Sequence, residues 1–162
     1  MNVVSKKHAY LVMAYDNFEQ LIKLVHALDD ERNMIFIHID KKAKNFTSEI
    51  KSKILGGVKC KIEIYSDIAV YWSHYSQVEC ELFLLERAVE KGPFAYYHLL
   101  SGQCFPIKSQ QYIHEFFNNN YGKEFIDYQN DFLEKNRDLI RKRIRYYHYF
   151  RKYCRFFKIK WM

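Results

Sequence analysis

The feature that most constrains the fold is a set of short apolar segments without polar–apolar alternation. They are HAYLVMA at residues 8–14, MIFIHI at residues 34–39 and YYHLL at residues 96–100. A strand that is apolar at successive positions has both faces buried, which is typical of a parallel sheet covered by helices on both sides. The sequence therefore predicts an α/β fold with a mostly parallel sheet.

Helical patterns separate these segments and support the same fold class. Apolar residues recur every three or four positions after the first segment, and Asp16 and Glu19 have the spacing of a capping box at its start. A helix is predicted over residues 76–90, where the periodic residues are Val78, Leu82, Leu85 and Val89 and Gly92-Pro93 follows. Shorter helices are predicted over residues 47–55 and 109–117, and further strands over residues 61–65 and 124–128.

Ligands of such sheets bind beyond the carboxyl ends of the strands, and this rule selects four short segments. They are residues 13–16, 40–42, 66–67 and 101–104. Asp40 directly follows a buried strand, so its carboxylate could accept a hydrogen bond from a ribose hydroxyl or a base N–H, while Lys41 and Lys42 could meet phosphate. An ordinary solvated turn at the strand end explains the same residues equally well.

Several familiar nucleotide and metal motifs are absent from the sequence. Neither G-x-G-x-x-G nor G-x-x-x-x-G-K-[ST] occurs, so a dinucleotide fingerprint and a P-loop are not supported. No D-x-D occurs either, the nearest string being His38-Ile39-Asp40. We therefore expect no metal and no cofactor.

The positive charge is concentrated at the carboxyl end of the chain. The net charge is +7, yet residues 1–133 hold 15 Lys/Arg against 17 acids. Residues 141–162 combine nine Lys/Arg with eight aromatic residues and no acid. Such a segment either packs against another part of a protein or docks on an anionic membrane or nucleic acid. We accordingly predict two regions, residues 1–133 and 134–162.

The sequence offers no signal for export or membrane insertion. The start of the chain lacks the apolar core of a signal peptide, and no apolar run approaches the length of a membrane span. The four cysteines are widely spaced, so they predict neither a zinc site nor a disulfide framework, and we treat them as small apolar residues: Cys60, Cys80, Cys104 and Cys154. These observations favour a cytoplasmic location, with peripheral membrane contact through residues 141–162 as a further possibility.

Six strings in order resemble one enzyme family. They are HAYLVMA at residues 8–14, IHIDKK at 37–42, VYWSHYSQVE at 70–79, YHLLSGQCFPIK at 97–108 and IHEFF at 113–117, followed by GKEFI at 122–126. In order and spacing they resemble the core-2/I-branching β-1,6-N-acetylglucosaminyltransferases, which include the peptide O-xylosyltransferases. The bacterial members are the most similar in character, and the resemblance covers residues 8 to at least 148.

The resemblance implies a GT-A-type, Rossmann-like sheet that binds a nucleotide sugar. The family transfers a sugar from a UDP-sugar with inversion at the anomeric carbon, to a glycan or glycoconjugate hydroxyl, and works without a metal-binding D-x-D. N-acetylglucosamine is the first choice of sugar and xylose the second. In such enzymes basic side chains neutralise the diphosphate in place of a cation. Nucleic acid is not expected as a partner of such an enzyme.

Residue by residue, the match assigns a donor side. Val12 and Met13 correspond to the strand end that lines the uridine pocket, and Asp40 to the aspartate that contacts uridine, with Lys41 beside it. Ser66 and Asp67 lie where animal enzymes carry an arginine. The stretch from Trp72 to Ser76 corresponds to the loop below the donor.

The match also assigns an acceptor side. Ser101, Gly102, Gln103 and Cys104 correspond to the loop beside the acceptor sugar, with Cys104 at a position where Asp is usual. Glu124 and the basic cluster that begins at Arg141 fall in the acceptor region. The family's catalytic Glu corresponds to a position beyond residue 162, so the sequence predicts an apparently truncated, amino-terminal part with little activity alone.

Several residues also have plain structural interpretations. His38 and His98 lie within apolar strands and are expected to be core histidines, and Glu79 and Glu81 are expected on a helix face. Trp72 could stack on a base or sugar, or fill the core. Two other functions remain open for the chain as a whole: a binding module that docks through residues 141–162, and a poorly folding remnant without function.

Overall fold

The fold is an α/β structure with a four-stranded, all-parallel sheet, as the strand sequences predict. The computed structural model describes residues 7–126, 135–138 and 141. The elements in chain order are β1 (His8–Ala14), α1 (Phe18–Ala27), β2 (Asn33–Ile39), α2 (Ser48–Leu55), β3 (Lys61–Tyr65), α3 (Ser76–Lys91), β4 (Tyr96–Ser101) and α4 (Gln110–Asn119).

The strand order is β3-β2-β1-β4, and each neighbouring pair is parallel. The central strands β1 and β2 are almost completely buried, whereas β3 and β4 at the edges are partly exposed. This difference explains the sequences, because only the central strands need apolar residues at every position. From β1 the chain runs outward to β2 and β3 and then returns to form β4 on the other side. The switch point of the topology therefore lies between β1 and β4.

Two hydrophobic clusters cover the two faces of the sheet. One contains α1, α2 and alternate residues of β1 and β2, among them Tyr10, Val12, Leu21 and Ile37. The other lies under α3 and contains Leu11, Phe36, Leu84 and Ala88. Successive strand residues thus point into different clusters, as the pleat requires.

Helix α3 forms where it is predicted, but the residues that indicated it do not face the sheet. Val78, Leu82, Leu85 and Val89 are exposed, while the side facing the sheet consists of Ser76, Cys80, Leu84 and Ala88. Most of these buried residues are small. The helix therefore lies close to β1 and β2, and the more conspicuous apolar stripe is left on its outer side.

The capping box predicted at Asp16 is wrong. The N-cap of α1 is Asn17, which has φ 46° and accepts no N–H through its side chain. The Asp16 carboxylate instead accepts a hydrogen bond from Gln103 Nε2 at 3.2 Å. Tertiary contact has thus taken the side chain that the local pattern assigned to the helix. In contrast, Ser109 caps α4, where its position predicts a helix start, and Thr47 is the N-cap of α2.

The fifth predicted strand, residues 124–128, does not form in its described part. Residues 124–126 adopt no strand, and Phe125 and Ile126 are exposed; residues 127 and 128 lie outside the described residues. A short apolar run becomes a strand only where a neighbouring strand supplies ladder hydrogen bonds, which the sequence alone does not reveal.

By its contacts the chain divides into two compact units, Met1–Tyr121 and Gly122–Met162. The sheet and all eight elements belong to the first unit. The boundary predicted at residue 133 lies outside the described residues and stays a prediction.

Candidate functional site

The ends of β1 and β4 meet at the switch point and are joined through their loops. Gln103 Nε2 donates to Asp16 Oδ1 at 3.2 Å, and Asn17 Nδ2 donates to Gln103 Oε1 at 3.1 Å. Gln20 on the first turn of α1 reaches the carbonyl of Cys104 at 3.5 Å. The loop after β4 is therefore fixed to the start of α1. The two segments lie side by side at the carboxyl edge, which is the edge of the sheet where the parallel strands end.

Gly102 permits this close approach. Its N–H donates to the carbonyl of Met13 at 2.8 Å, and a Cβ at this position would lie 2.8 Å from the Cβ of Ala14. Real Cβ contacts are longer than this, so any other residue would push the β4 loop away from β1. The glycine of the SGQ string thus sets the shape of the edge.

Asp40 lies at the carboxyl end of β2 and is buried, with only 7% of its surface exposed. Its Oδ1 accepts hydrogen bonds from the backbone N–H of Lys42 at 2.9 Å and of Val70 at 3.4 Å. Its Oδ2 forms an ion pair with Lys42 Nζ at 2.6 Å. A buried carboxylate requires such partners, and these tie the β2 end to the loop that follows β3.

The loop between β3 and α3 folds over the end of β2. The N–H of Ile68 donates to His38 Nε2 at 3.1 Å, and the N–H of Lys41 donates to the carbonyl of Ile68 at 3.1 Å. Burial lowers the pKa of His38, which keeps the imidazole neutral and its Nε2 available as an acceptor. His38 is thus a core histidine, as predicted, and it also positions this loop.

The start of α3 is held by its own side chains. Ser76 is buried, and its Oγ accepts the N–H of Tyr71 at 2.9 Å and lies 3.1 Å from His74 Nδ1. Ser76 therefore stabilises the turn that leads into α3. Trp72, in contrast, is 77% exposed, which makes the core-filling alternative wrong and leaves the indole accessible from solvent.

The remaining donor-side residues take different positions. Val12 is fully buried in the core under α1, and Met13 points to the opposite face and is partly buried. Asp67 and Lys41 are exposed. The lysine that meets Asp40 is Lys42 rather than Lys41. Its place two residues after the carboxylate, in the tight turn that ends β2, was the available sequence signal.

The acceptor-side residues are divided between the two units. Ser101, Gly102, Gln103 and Cys104 form the loop described above, in which Ser101 Oγ accepts the N–H of Gln103 at 3.1 Å. Glu124 and Arg141 are exposed and belong to the second unit. Their assignment to an acceptor site stays a prediction.

A cavity of about 300 Å³ lies beside this loop, between β4 and α4. Its lining is mainly apolar and aromatic: Tyr10, Leu28, His98, Leu100, Cys104, Phe105, Pro106, Ile107, Lys108, Tyr112, Ile113, Phe116 and Phe117. The volume is at the lower end of the range for small-molecule sites. Cys104 of the loop after β4 is one of the residues that line this mainly apolar space.

Three histidines pack together under α4. His8 Nδ1 and His98 Nε2 are 3.1 Å apart, and the rings of His8 and His114 are 4.2 Å apart. His114 Nε2 lies 2.9 Å from Asn33 Oδ1. Burial, followed by the neighbouring imidazoles, lowers the pKa of His8 to about 3 and that of His98 to about 4. The cluster is therefore neutral at pH 7 and joins α4 to the sheet.

Two further findings concern metals and membranes. Within the described part of the chain, no three His, Cys, Asp or Glu side chains come together as a metal site, the histidine cluster included. No helix in that same part is long and apolar enough to cross a membrane. Of the four cysteines, Cys60, Cys80 and Cys104 are free thiols and Cys154 lies outside the described residues.

The comparison with known families agrees with the strings identified in the sequence. The family model for the Core-2/I-Branching enzyme matches residues 8–156, which is most of the chain. The chain belongs to the Core-2/I-branching enzyme family. No curated protein matches the sequence.

Membership of the Core-2/I-branching family connects the fold with a type of reaction. The family consists of glycosyltransferases, which use a nucleotide-sugar donor and an acceptor. The parallel sheet with four helices is consistent with a GT-A-like, Rossmann-type fold. The switch point and the ends of β1, β2 and β4 then lie where nucleotides bind in such sheets.

Proposed function

We propose that this chain binds a UDP-sugar at the carboxyl edge of its sheet and serves an inverting transfer of N-acetylglucosamine to a glycan or glycoconjugate hydroxyl. Xylose is the second choice of sugar. The observation that carries the proposal is the buried carboxylate of Asp40 at the end of β2, next to the switch point, in a chain of this family. A carboxylate in this position can accept from a ribose hydroxyl or from the uracil N–H.

The proposal includes a metal-independent reaction. It is supported by the string His38-Ile39-Asp40, which places a single carboxylate where a D-x-D would place two. The ammonium group of Lys42, 2.6 Å from Asp40 Oδ2, supplies positive charge at the same edge. Fixed basic groups can stabilise a departing diphosphate as a cation does.

Thermal unfolding of the 162-residue chain with UDP, in a chelating buffer, tests this proposal. UDP at about 100 times its Kd should stabilise the fold by roughly 2.7 kcal/mol. Asp40→Asn should abolish most of the shift, whereas Glu49→Gln, on the exposed surface of α2, should retain it. Mn²⁺ added in excess of the chelator should leave the shift unchanged. A cooperative transition that UDP does not move would contradict the proposal.

The donor sugar is tested in the same assay. UDP-N-acetylglucosamine should shift the transition more than UDP-xylose, because the first is the proposed donor. A larger shift with UDP-xylose would reverse that order and leave the nucleotide assignment intact.

A peripheral membrane contact through residues 141–162 is proposed on charge alone. Nine Lys/Arg and no acid over 22 residues should give binding to anionic vesicles at low salt, with loss at high salt. Vesicles of neutral lipid serve as the control. Equal binding to both vesicle types would contradict an electrostatic contact.

A further inference from the structure

The ammonium group of Lys42 is held at the carboxyl edge by three neighbours. It lies 2.6 Å from Asp40 Oδ2, donates to the carbonyl oxygen of Val70, and stands 4.3 Å from the centre of the Tyr71 ring. The N–H of Ala43 donates to the carbonyl of Asp40 at 2.8 Å, and this tight turn brings Lys42 back toward the carboxylate. The backbone and the side chain of Lys42 thus bind the same carboxylate.

The two partners of this ion pair differ in how far water reaches them. The side chain of Asp40 is 9% exposed and that of Lys42 is 42% exposed. Leaving the buried carboxylate without a partner would be costly, whereas the half-exposed ammonium can turn into solvent at little cost. The lysine can therefore be exchanged for another donor, provided that this donor reaches Asp40 Oδ2.

A nucleoside supplies a donor of the required kind. Asp40 Oδ1 already accepts two backbone N–H groups, from Lys42 and Val70, whereas Oδ2 accepts the Lys42 ammonium. A ribose hydroxyl or base N–H that reaches Oδ2 would take the place of the ammonium group. The displaced cation would then lie beside a bound nucleotide that carries a negatively charged diphosphate.

We propose that Lys42 is an exchangeable counter-ion of the donor site. It neutralises Asp40 while the site is empty, yields Oδ2 to the nucleoside, and then pairs with the diphosphate of the same ligand. The inference rests on the proposed function, and it assigns the phosphate contact to Lys42 rather than to its exposed neighbour Lys41.

Calorimetric titration of the full 162-residue chain with uridine and with UDP, in a chelating buffer, tests the exchange. Lys42→Met should weaken UDP binding about tenfold or more, because the ligand loses a charge partner. The same variant should bind uridine as tightly as the wild type or more tightly, because Asp40 Oδ2 no longer has to be vacated. Lys42→Arg should retain most of the preference for UDP over uridine.

Lys44→Met is the matched control. Lys44 lies two residues after Lys42 in the same loop, and its side chain is exposed. This variant should leave the ratio of UDP to uridine affinity within about twofold of the wild type. Raised ionic strength should weaken UDP binding less in Lys42→Met than in the wild type, because one charge contact is missing.

Four results would overturn the inference. Equal losses of uridine and UDP affinity in Lys42→Met would show that Lys42 only shapes the loop. Equal losses of both affinities in Lys42→Arg would show the same if Lys42→Met does not unfold cooperatively. Unchanged affinities for both ligands in Lys42→Met would show that Lys42 does not contact the diphosphate, while leaving the proposed function in place. Absence of binding of either ligand to the wild type would remove both the exchange and the proposed function.

Discussion

The orientation of α3 gives the most direct test of the packing, because Leu84 and Leu85 are adjacent leucines with opposite surroundings. Leu84 is 0% exposed and packs in the cluster of Leu11, Phe36 and Ala88, whereas Leu85 is 38% exposed. Truncating a fully buried leucine to alanine costs about 2–5 kcal/mol, the loss rising with the cavity that remains. The cavity here would lie against β1 and β2, whose ladders limit collapse, so we expect about 3–4 kcal/mol for Leu84→Ala.

Leu85→Ala is the matched variant, since it makes the same chemical change one residue further along the helix. Much of the Leu85 side chain is already in water, so the expected loss is about 1 kcal/mol or less. The free energy of unfolding is measured by urea denaturation followed by circular dichroism. The two variants should show similar m-values and different midpoints, because the surface exposed on unfolding barely changes.

The sequence pattern makes the opposite prediction, which makes the experiment decisive. If the periodic residues Val78, Leu82, Leu85 and Val89 formed the packed side of α3, Leu85→Ala would be the more damaging change. A loss for Leu85→Ala equal to or greater than that for Leu84→Ala would refute the orientation of α3 and the closeness of its small residues to the sheet.

Two further predictions concern the histidine cluster and the glycine of the β4 loop. Folding lowers the pKa of His8 from 6.5 to about 3 and that of His98 from 6.5 to about 4. Below pH 6.5 the unfolded chain therefore binds more protons than the folded chain. The free energy of unfolding should be highest above that pH and should fall steadily toward pH 4. Urea denaturation at pH 7, 5.5 and 4.5 measures this free energy, and equal values at the three pH values would contradict the neutral cluster. In His98→Leu the free energy of unfolding should depend less steeply on pH. Gly102→Ala should cost about 1–3 kcal/mol, since its Cβ would stand 2.8 Å from that of Ala14, and should weaken UDP binding as well; wild-type stability in a urea titration would contradict the close approach.

Short sequence strings were sufficient to indicate the family of the chain. The structure shows which contacts the residues of these strings make. The string SGQ at residues 101–103 supplies the glycine that lets β4 approach β1. It also supplies the glutamine whose side chain joins the loop after β4 to Asp16 and Asn17. IHIDKK supplies a histidine and an aspartate that both bind the loop after β3. Their common task is to hold the carboxyl edge together, which no string shows when it is considered alone.

The candidate site was only partly predictable. Asp40 was identified because a polar residue after a buried strand must lie at the carboxyl edge of the sheet. The selection of Lys42 over Lys41 was missed, because it depends on a turn that returns the chain to the carboxylate. The exposure of Trp72 and the burial of Ser76 likewise depend on how the loop folds over β2.

The sequence by itself determined the α/β class, the positions of the four strands and the ends of most helices. These properties depend on short-range patterns: unbroken apolar runs, helical periodicity, and residues such as Ser109 and Gly92 at helix ends. The tertiary structure decided which side of α3 is buried, that Asp16 pairs with Gln103 instead of capping α1, and that residues 124–126 form no strand. Each of these depends on a partner far away in the chain, and a pattern of neighbouring residues cannot specify where that partner will lie.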